Sequence, residues 1–484
     1  MSAASVPATA LTERSATALA DAIRTGETSS RAVVEAHVAL LRRRHPALRA
    51  VAHDRFDAAL ADADAADARI AAADPDEQLP PLLGVPCTVK ESIELAGMPN
   101  CAGLVSRRDH RAPGSAPAVQ RLLDAGAIPL GVTNTSELCM WIESQNHVYG
   151  RTSNAYDPTR IAGGSSGGEG SAVGSGGSPF GLGSDIGGSI RLPAFFNGVF
   201  GLKPSPGLVP NTGQFPVTHG EAARLLTMGP LARRAEDLIG LLRIIAGPDG
   251  LDARARDVAL GDPADVDLAA LDVIVTQDTS AWPLRRDLRE ARERAARALE
   301  ASGARVRELS LKPLRRVMDG YLAALQSGAD VTFAAELGGD VTVRRALGGA
   351  VRGRGPHTVA SALLLGAERA SGVLPAGMTR RSLEAGRRLA AEVEEVIGDG
   401  VLLHPPFGRV APRHGRTVGR PWSIHHAAIF NLLGLPVVQT PLGLNAQGLP
   451  LGVQVAAPRD HDHVAIAVAL ELERAFGGWV PPAA

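Results

Sequence analysis

The chain has 484 residues, 45% of them hydrophobic, and its 50 Lys+Arg and 51 Asp+Glu leave a formal charge of −1. Such a length buries one large core or two ordinary ones, and the balanced charge argues against a nucleic-acid partner, which needs a basic surface. With three cysteines in no C-x-x-C or zinc spacing, no basic-then-apolar leader and no apolar run near the ~18–20 residues of a membrane span, it reads as globular and cytoplasmic, without a disulfide framework.

The first 70 residues read as helices: SATALADAIRTG closes on Gly26, and SSRAVVEAHVALLRRRHP starts on serine caps and is expected to stop before Pro46. LLGVPCTVKESI (82–93), apolar and bounded by turn residues, predicts a buried strand. Ser115 is expected to cap a helix over APAVQRLLDA that stops at Gly126, and AIPLGVTN (127–134) resumes strand character. Strand, helix and strand in that order form a βαβ unit and imply a parallel pair. Further on, LDVIVTQ (271–277) predicts a strand and DLREARERAARALEAS (287–302) a helix closed by Gly303. TRRSLEAGRRLAAEVEEVI (379–397) predicts an amphipathic helix ended by Gly398, before the strand GVLLHP. The stretch 310–378 mixes short helical runs with Gly and Pro and has no clear pattern. We expect one α/β domain over 1–484, a central mixed sheet flanked by helices, with a helical segment at 1–75 and a more variable region over the site at 250–400.

The run IAGGSSGGEGSAVGSGGSPFGLGSDIGGSIRLPAFFNG (161–198) carries the chemistry. A flexible linker would not contain Phe180, Leu182, Ile186, Ile190, Phe195 and Phe196, and a phosphate-binding loop would need Gly-Lys-Ser/Thr, which is missing. Glycine lets backbone N–H groups crowd around a negative oxygen, so residues 184–189 can form an oxyanion hole with Ser189 at its mouth. A serine needs a base to become a nucleophile, and no G-x-S-x-G elbow supplies one. The base is either a histidine or a desolvated lysine. Lys90 ends an apolar strand, where a charged amine is costly to bury; taken alone it is equally an ordinary snorkelling lysine, as Ser165 and Ser189 alone are ordinary turn serines.

GVPCTVKES (84–92), GGSSGGEG (163–170), GSDIGGSIRLPAFFNGVFGLKPS (183–205) and GLPVVQTPLGLNAQGLPLGVQV (434–455) resemble the amidase signature family, in this order and over most of the chain, most weakly at about 250–400. The second and third segments are most similar to its fatty-acid amide hydrolase branch. The resemblance implies a Ser–cis-Ser–Lys triad of Ser189, Ser165 and Lys90, with a cis peptide before Ser165. It implies oxyanion donors from the backbone of Ile186, Gly187, Gly188 and Ser189, and places Cys139, Met140 and Trp141 in the acyl-pocket wall. It further implies no metal or organic cofactor, and a homodimer. Phe195 and Phe196, close behind the nucleophile in sequence, are expected to touch an apolar substrate.

Ser166 and Ser184 are expected to support the site, Asp185 and Arg191 to hydrogen-bond around the nucleophile, and Glu169 to cap or solvate the following segment. His425, His426 and the D-H-D-H run 460–463 lack a metal-binding spacing and read as surface or core histidines. A glycosidase pair drawn from Glu143, Asp185 and Glu169 has no support beyond composition. VASALLLGA (359–367) is too short to span a membrane and reads as a lid or pocket wall rather than a membrane-touching patch. The expected function is hydrolysis of an amide, ester or carbamate (urethane) of an apolar or aryl small molecule. The alternatives are an inactive binding or scaffold protein and a glutaminase-type amidotransferase subunit.

Overall fold

β2 (Pro86–Lys90) is buried at every position, and so are β3 (Ile128–Thr133) and β6 (Phe180–Asp185) beside it. The computed structural model describes residues 7–483 except 278–283, 312–313, 315–316, 328–331, 340, 352–354 and 372–375. The remaining strands are β1 (Val51–Asp54), β4 (Gln145–Asn146), β5 (Gly150–Arg151), β7 (Phe200–Lys203), β8 (Thr227–Ala232), β9 (Asp272–Gln277), β10 (Arg305–Ser310), β11 (Val401–His404), β12 (Val437–Leu444) and β13 (Pro450–Ala456). β4 and β5 pair with each other, and the rest form an 11-stranded sheet in the order β1-β3-β2-β6-β8-β7-β12-β13-β11-β9-β10. Two parallel groups, β3-β2-β6 and β11-β9-β10, flank an antiparallel centre. This is the expected mixed α/β sheet flanked by helices, and β2 and β3 are the parallel pair of the βαβ unit.

Period-2 alternation in β2 sends Cys87 and Val89 into the main hydrophobic core and Thr88 and Lys90 to the other face. There they meet the helix Gly167–Gly174, all eight of whose residues are buried. Its glycines make that possible: a Cβ on Gly170 would lie 2.7 Å from the Pro193 carbonyl oxygen, so the two backbones pass with no room for a side chain. The carboxyl ends of β2 and β6 thus lie side by side, where open α/β sheets place their ligands.

Several elements differ from the sequence reading. The helix Ser30–Leu48 runs through Pro46 and ends on Arg49 in a left-handed conformation, φ 47°. Proline's fixed φ suits a helix, and so near the end only one hydrogen bond is lost. Ser115 does not cap the helix Pro117–Asp124; its Oγ accepts from the Ala96 N–H at 3.2 Å, and Pro117 opens the helix instead. The strand expected over 82–93 keeps only Pro86–Lys90, because Leu82 and Gly84 bond to the turn at Ala125 and Gly126. The N-terminal helices Ala16–Arg24, Ser30–Leu48 and Phe56–Ala71 are interrupted by β1, which pairs with β3. Within 310–378 the described residues form the helices Val317–Ser327, Phe333–Glu336, Val343–Val351 and Val359–Ser371. Among the described residues no helix is long and apolar enough to cross a membrane.

Candidate active site

Lys90 closes β2 with no exposed surface, and its Nζ donates to Ser165 Oγ at 2.7 Å and to Ser184 Oγ at 3.0 Å. Burial holds its amine below the usual lysine range, against the opposing influence of Cys139, Asp185 and Glu169. The Gly164–Ser165 peptide is cis, as the resemblance implies. Ser144 Oγ donates to the Ser165 carbonyl at 2.9 Å, and the Ser166 N–H donates to the Ser189 carbonyl at 3.1 Å, tying the two serine loops together. Ser189 is 8% exposed and opens on a pocket, and its hydroxyl makes no hydrogen bond among the described residues.

Asp185 organises the turn before Ser189. Its carboxylate accepts from the N–H groups of Gly188 (2.8 Å) and Ile190 (3.0 Å), and from Arg191 Nε (3.0 Å) and Nη2 (2.9 Å). Burial alone would raise its pKa, but the Arg191 guanidinium and these bonds hold the carboxyl well below the usual carboxylate range. Arg191 in turn donates to the Ala427 carbonyl, Gln454 Oε1 and Asn431 Oδ1. The Gly188 N–H, one of the expected oxyanion donors, is therefore engaged by Asp185 in this structure. The N–H groups of Ile186, Gly187 and Ser189 have no acceptor among the described residues, and these three residues line the pocket.

The pocket brings together Cys139, Met140 and Trp141, as expected, with Ile142, Ile186, Gly187 and Ser189. It does not include Phe195 or Phe196. Both are fully buried in the core, where Phe196 meets Phe407 edge-on with ring centroids 5.4 Å apart. The helix Arg191–Phe196 turns away from the substrate side, so nearness to Ser189 in sequence is not nearness in space. Glu169 neither caps nor solvates: it is fully buried, and Thr88 and Thr133 each donate a hydroxyl to it at 2.6 Å. Burial pushes it up to about 7, although both hydroxyls act the other way. Sequence carried a signal for this cage, since Thr88 shares its strand face with Lys90, and Thr133 is the register partner of Lys90.

The far wall comes from the stretch that had no pattern: Met318, Tyr321, Leu322 and Leu325, with Leu364 from the helix Val359–Ser371. Residues Arg420–Ile424 close the mouth, with Trp422 half exposed. Trp141 Nε1 donates to Thr417 Oγ1 at 3.0 Å, and Thr417 donates to buried Glu143, which also accepts the Gly415 N–H; this ties the mouth loop to the inner wall. Glu143 thus serves packing and is no partner for Asp185. His425 and His426 are buried, His426 bonding His404 at 3.2 Å, whereas His461 is exposed. Among the described residues no cluster of His, Cys, Asp and Glu could hold a metal ion.

The amidase family model matches residues 32–465. The chain is 45% identical to the fatty-acid amide hydrolase 2-B of Danio rerio, over 97% of this chain and 90% of that protein. It is 30% identical to a glutamyl-tRNA(Gln) amidotransferase component of Chloroflexus aurantiacus, over 91% and 92% respectively. Its fold superposes on 6-aminohexanoate cyclic dimer hydrolase, solved with its substrate, with a TM-score of 0.80 at 25% identity, covering 96% of this chain and 97% of that one. Four sequence motifs, the shared sheet and a family match across most of the length agree: the chain belongs to the amidase family and is a serine hydrolase of C–N amide bonds.

Proposed function

We propose that Ser189 is the nucleophile, Ser165 the proton relay and neutral Lys90 the base, acting on amides with an apolar or aryl acyl group. Ser189 Oγ bonds to the carbonyl carbon as its proton passes through Ser165 to Lys90, and the new oxyanion settles on the free N–H groups of Ile186, Gly187 and Ser189. Return of the proton to the nitrogen expels the amine, and water then releases the acid from Ser189 by the same relay. The observation that carries this is the 2.7 Å bond from Lys90 Nζ to Ser165 Oγ, made by a fully buried lysine whose neutral form burial favours. The link from Ser165 to Ser189 closes in the substrate complex, as catalytic hydrogen bonds in empty sites often do.

The walls support the apolar choice. Met140, Trp141, Ile142, Met318, Leu322, Leu325 and Leu364 are hydrocarbon, aromatic or thioether, and the charged lining residue, Arg420, sits exposed at the mouth. Free glutamine would bring a carboxylate and an ammonium into this setting without partners, an expensive desolvation. The amidotransferase relatives are also more distant, at 30% identity for that of Chloroflexus aurantiacus against 45% for the fatty-acid amide hydrolase 2-B. Esters and carbamates pass through similar tetrahedral species and belong to the same proposal.

A fluorophosphonate should label Ser189 with one adduct by intact mass; labelling mapped to Ser165 would reverse the two serines. Across p-nitroanilides of rising acyl length, kcat/KM should climb about fourfold per methylene, from ~0.8 kcal/mol per buried CH₂. The climb should stop early, because the cavity on Ser189 is about 100 Å³, below the ~300 Å³ at which ordinary small-molecule sites begin. Efficiency falling from acetyl onward, or glutamine as the best substrate, would defeat the apolar reading.

A further inference from the structure

The wall residues Met140 and Trp141 follow a 3-10 turn, Glu137–Cys139, in which Leu138 and Cys139 both take left-handed conformations, φ 52° and 58°. At the head of that turn stands Glu137, 2% exposed. Its carboxylate is bound by the other wall, 220 residues further along the chain. His357 Nδ1 lies 2.7 Å from Oε1, the Thr358 N–H donates to Oε2 at 2.8 Å, and Ser361 Oγ donates to Oε2 at 2.7 Å. His357 is itself 4% exposed, so these bonds are made out of water, where each is stronger than at a surface.

The three donors belong to one structural unit. Thr358 precedes the helix Val359–Ser371, and its Oγ1 accepts the Ser361 N–H at 3.2 Å, so the carboxylate grips the first turn of the helix and its cap together. The same helix supplies Leu364 to the pocket, while Ala362 and Leu365 pack with Leu138 in a small separate hydrophobic cluster. Farther along it, Glu368 accepts the N–H groups of Phe333 and Ala334, which carries the short helix Phe333–Glu336 along with it. Outer wall and inner wall are thus joined by hydrogen bonds at Glu137 and by apolar packing of Leu138 with Ala362 and Leu365.

We propose that Glu137 is a specificity-determining latch: by holding the helix Val359–Ser371 against the turn Glu137–Cys139 it fixes Leu364, and so limits the length of acyl group the pocket accepts. The inference rests on the pocket being the acyl site, as proposed above. Glu137 touches neither substrate nor the reacting atoms in this scheme; it acts through Leu364 as a positioning residue. Replacing one carboxylate oxygen by an NH₂ group turns an acceptor toward donors, and the latch opens while the side chain keeps its volume.

The test uses the full-length enzyme with acetyl and octanoyl p-nitroanilides. In Glu137→Gln the octanoyl-to-acetyl ratio of kcat/KM should rise about tenfold over wild type, as the tight outer wall yields. Ser361→Ala, which removes one of the three bonds and leaves the carboxylate in place, should raise it less. A structural defect alone would lower both substrates together. In a Leu364→Ala background, Glu137→Gln should change the ratio no further, since both act on one wall. A ratio in Glu137→Gln within twofold of wild type, or below it, overturns the proposal. If wild type cleaves neither anilide, the acyl-pocket reading fails on its own. The latch is then scored by hydrogen exchange: amides of 358–371 should lose protection in Glu137→Gln relative to β2 and β6, and unchanged protection overturns it.

Discussion

The floor of the site and its walls are built on different principles. The floor comprises β2, the cis turn at Ser165, the helix Gly167–Gly174 and the turn 185–191, of which the last three are near neighbours in sequence; nearly all of it is buried. Its polar groups answer one another: Lys90 with Ser165 and Ser184, Asp185 with Arg191, Glu169 with Thr88 and Thr133. The walls come from four distant segments around 139–142, 318–325, 364 and 420–424, and present mostly apolar side chains. Bond-making needs groups held within a fraction of an ångström, which dense packing and buried bonds supply. Selecting a hydrocarbon needs only shape and area, and these can be carried by side chains of many kinds.

Substitutions in the floor should therefore abolish chemistry without changing substrate preference, and substitutions in the walls should do the reverse. The largest expected effect is Ser189→Ala, with kcat down at least ~10⁴-fold on every substrate, as in other serine hydrolases stripped of the nucleophile, and loss of fluorophosphonate labelling. Residual turnover within tenfold of wild type would remove Ser189 from the chemistry.

Next comes Lys90→Ala, down ~10³-fold in kcat at all acyl lengths, in the middle of the range a general base contributes. In the wild type, acidification should protonate the lysine and switch activity off, so activity rises with pH through its lowered pKa. An acid limb unchanged in Lys90→Ala would mean that another group titrates there.

The support beneath the nucleophile should yield a stability effect. Arg191→Met leaves the Asp185 carboxylate buried without its cation, a change that costs about 3–5 kcal/mol in comparable buried pairs. Urea unfolding should show it as a lowered midpoint, and a midpoint equal to wild type would show that Asn431 and the backbone N–H groups suffice for Asp185. On the wall side, Leu364→Ala should alter bulky-substrate kcat/KM up to about tenfold and leave acetanilide nearly untouched, a difference of roughly 1.4 kcal/mol. Equal losses on both substrates would erase the division between floor and wall.

A separate effect, on stability rather than turnover, lies behind the floor. His426 is buried and neutral, its pKa lowered from 6.5 to about 3 by burial and by the neighbouring His425 and Arg292. A base depressed in the folded state lends its stability above the unfolded pKa and loses it as pH falls, here from 6.5 toward about 3. Between pH 6.5 and 5 that amounts to at most about 2 kcal/mol, from ~1.36 kcal/mol per pH unit. His426→Gln should flatten the acid decline in Tm over this range; an unchanged decline would assign it to other groups.

The same division decides what could be read in advance. The floor was legible because its residues sit in runs long enough to carry the family resemblance: Lys90 at the end of GVPCTVKES, Ser165 and Ser189 in the two glycine-rich segments. The walls were legible only in part: 139–141 through the family resemblance and 359–367 as an apolar run, whereas an apolar residue at 318 or 322 looks like any core residue until the chain brings it to the pocket. Phe195 and Phe196 were misjudged because adjacency along the chain stood in for position, and a short helix reversed their direction. Glu169 was misjudged because a lone carboxylate is assumed to be wet; its hydroxyl partners lie on two other strands. Fold class followed from the βαβ pattern, but the antiparallel centre of the sheet has no local signature.

The guanidinium of Arg191 has a bearing on synthesis as well as on structure. Its partners on the far side of the turn, Ala427, Asn431 and Gln454, are 236, 240 and 263 residues downstream. A ribosome would have released Lys90, Ser165 and Ser189 long before any of them, yet the turn carrying Ser189 cannot be braced until Gln454 has emerged. During translation the nascent chain therefore holds Lys90, Ser165 and Ser189 before Arg191 has these downstream partners, and the turn is fully braced only when β13 joins the sheet.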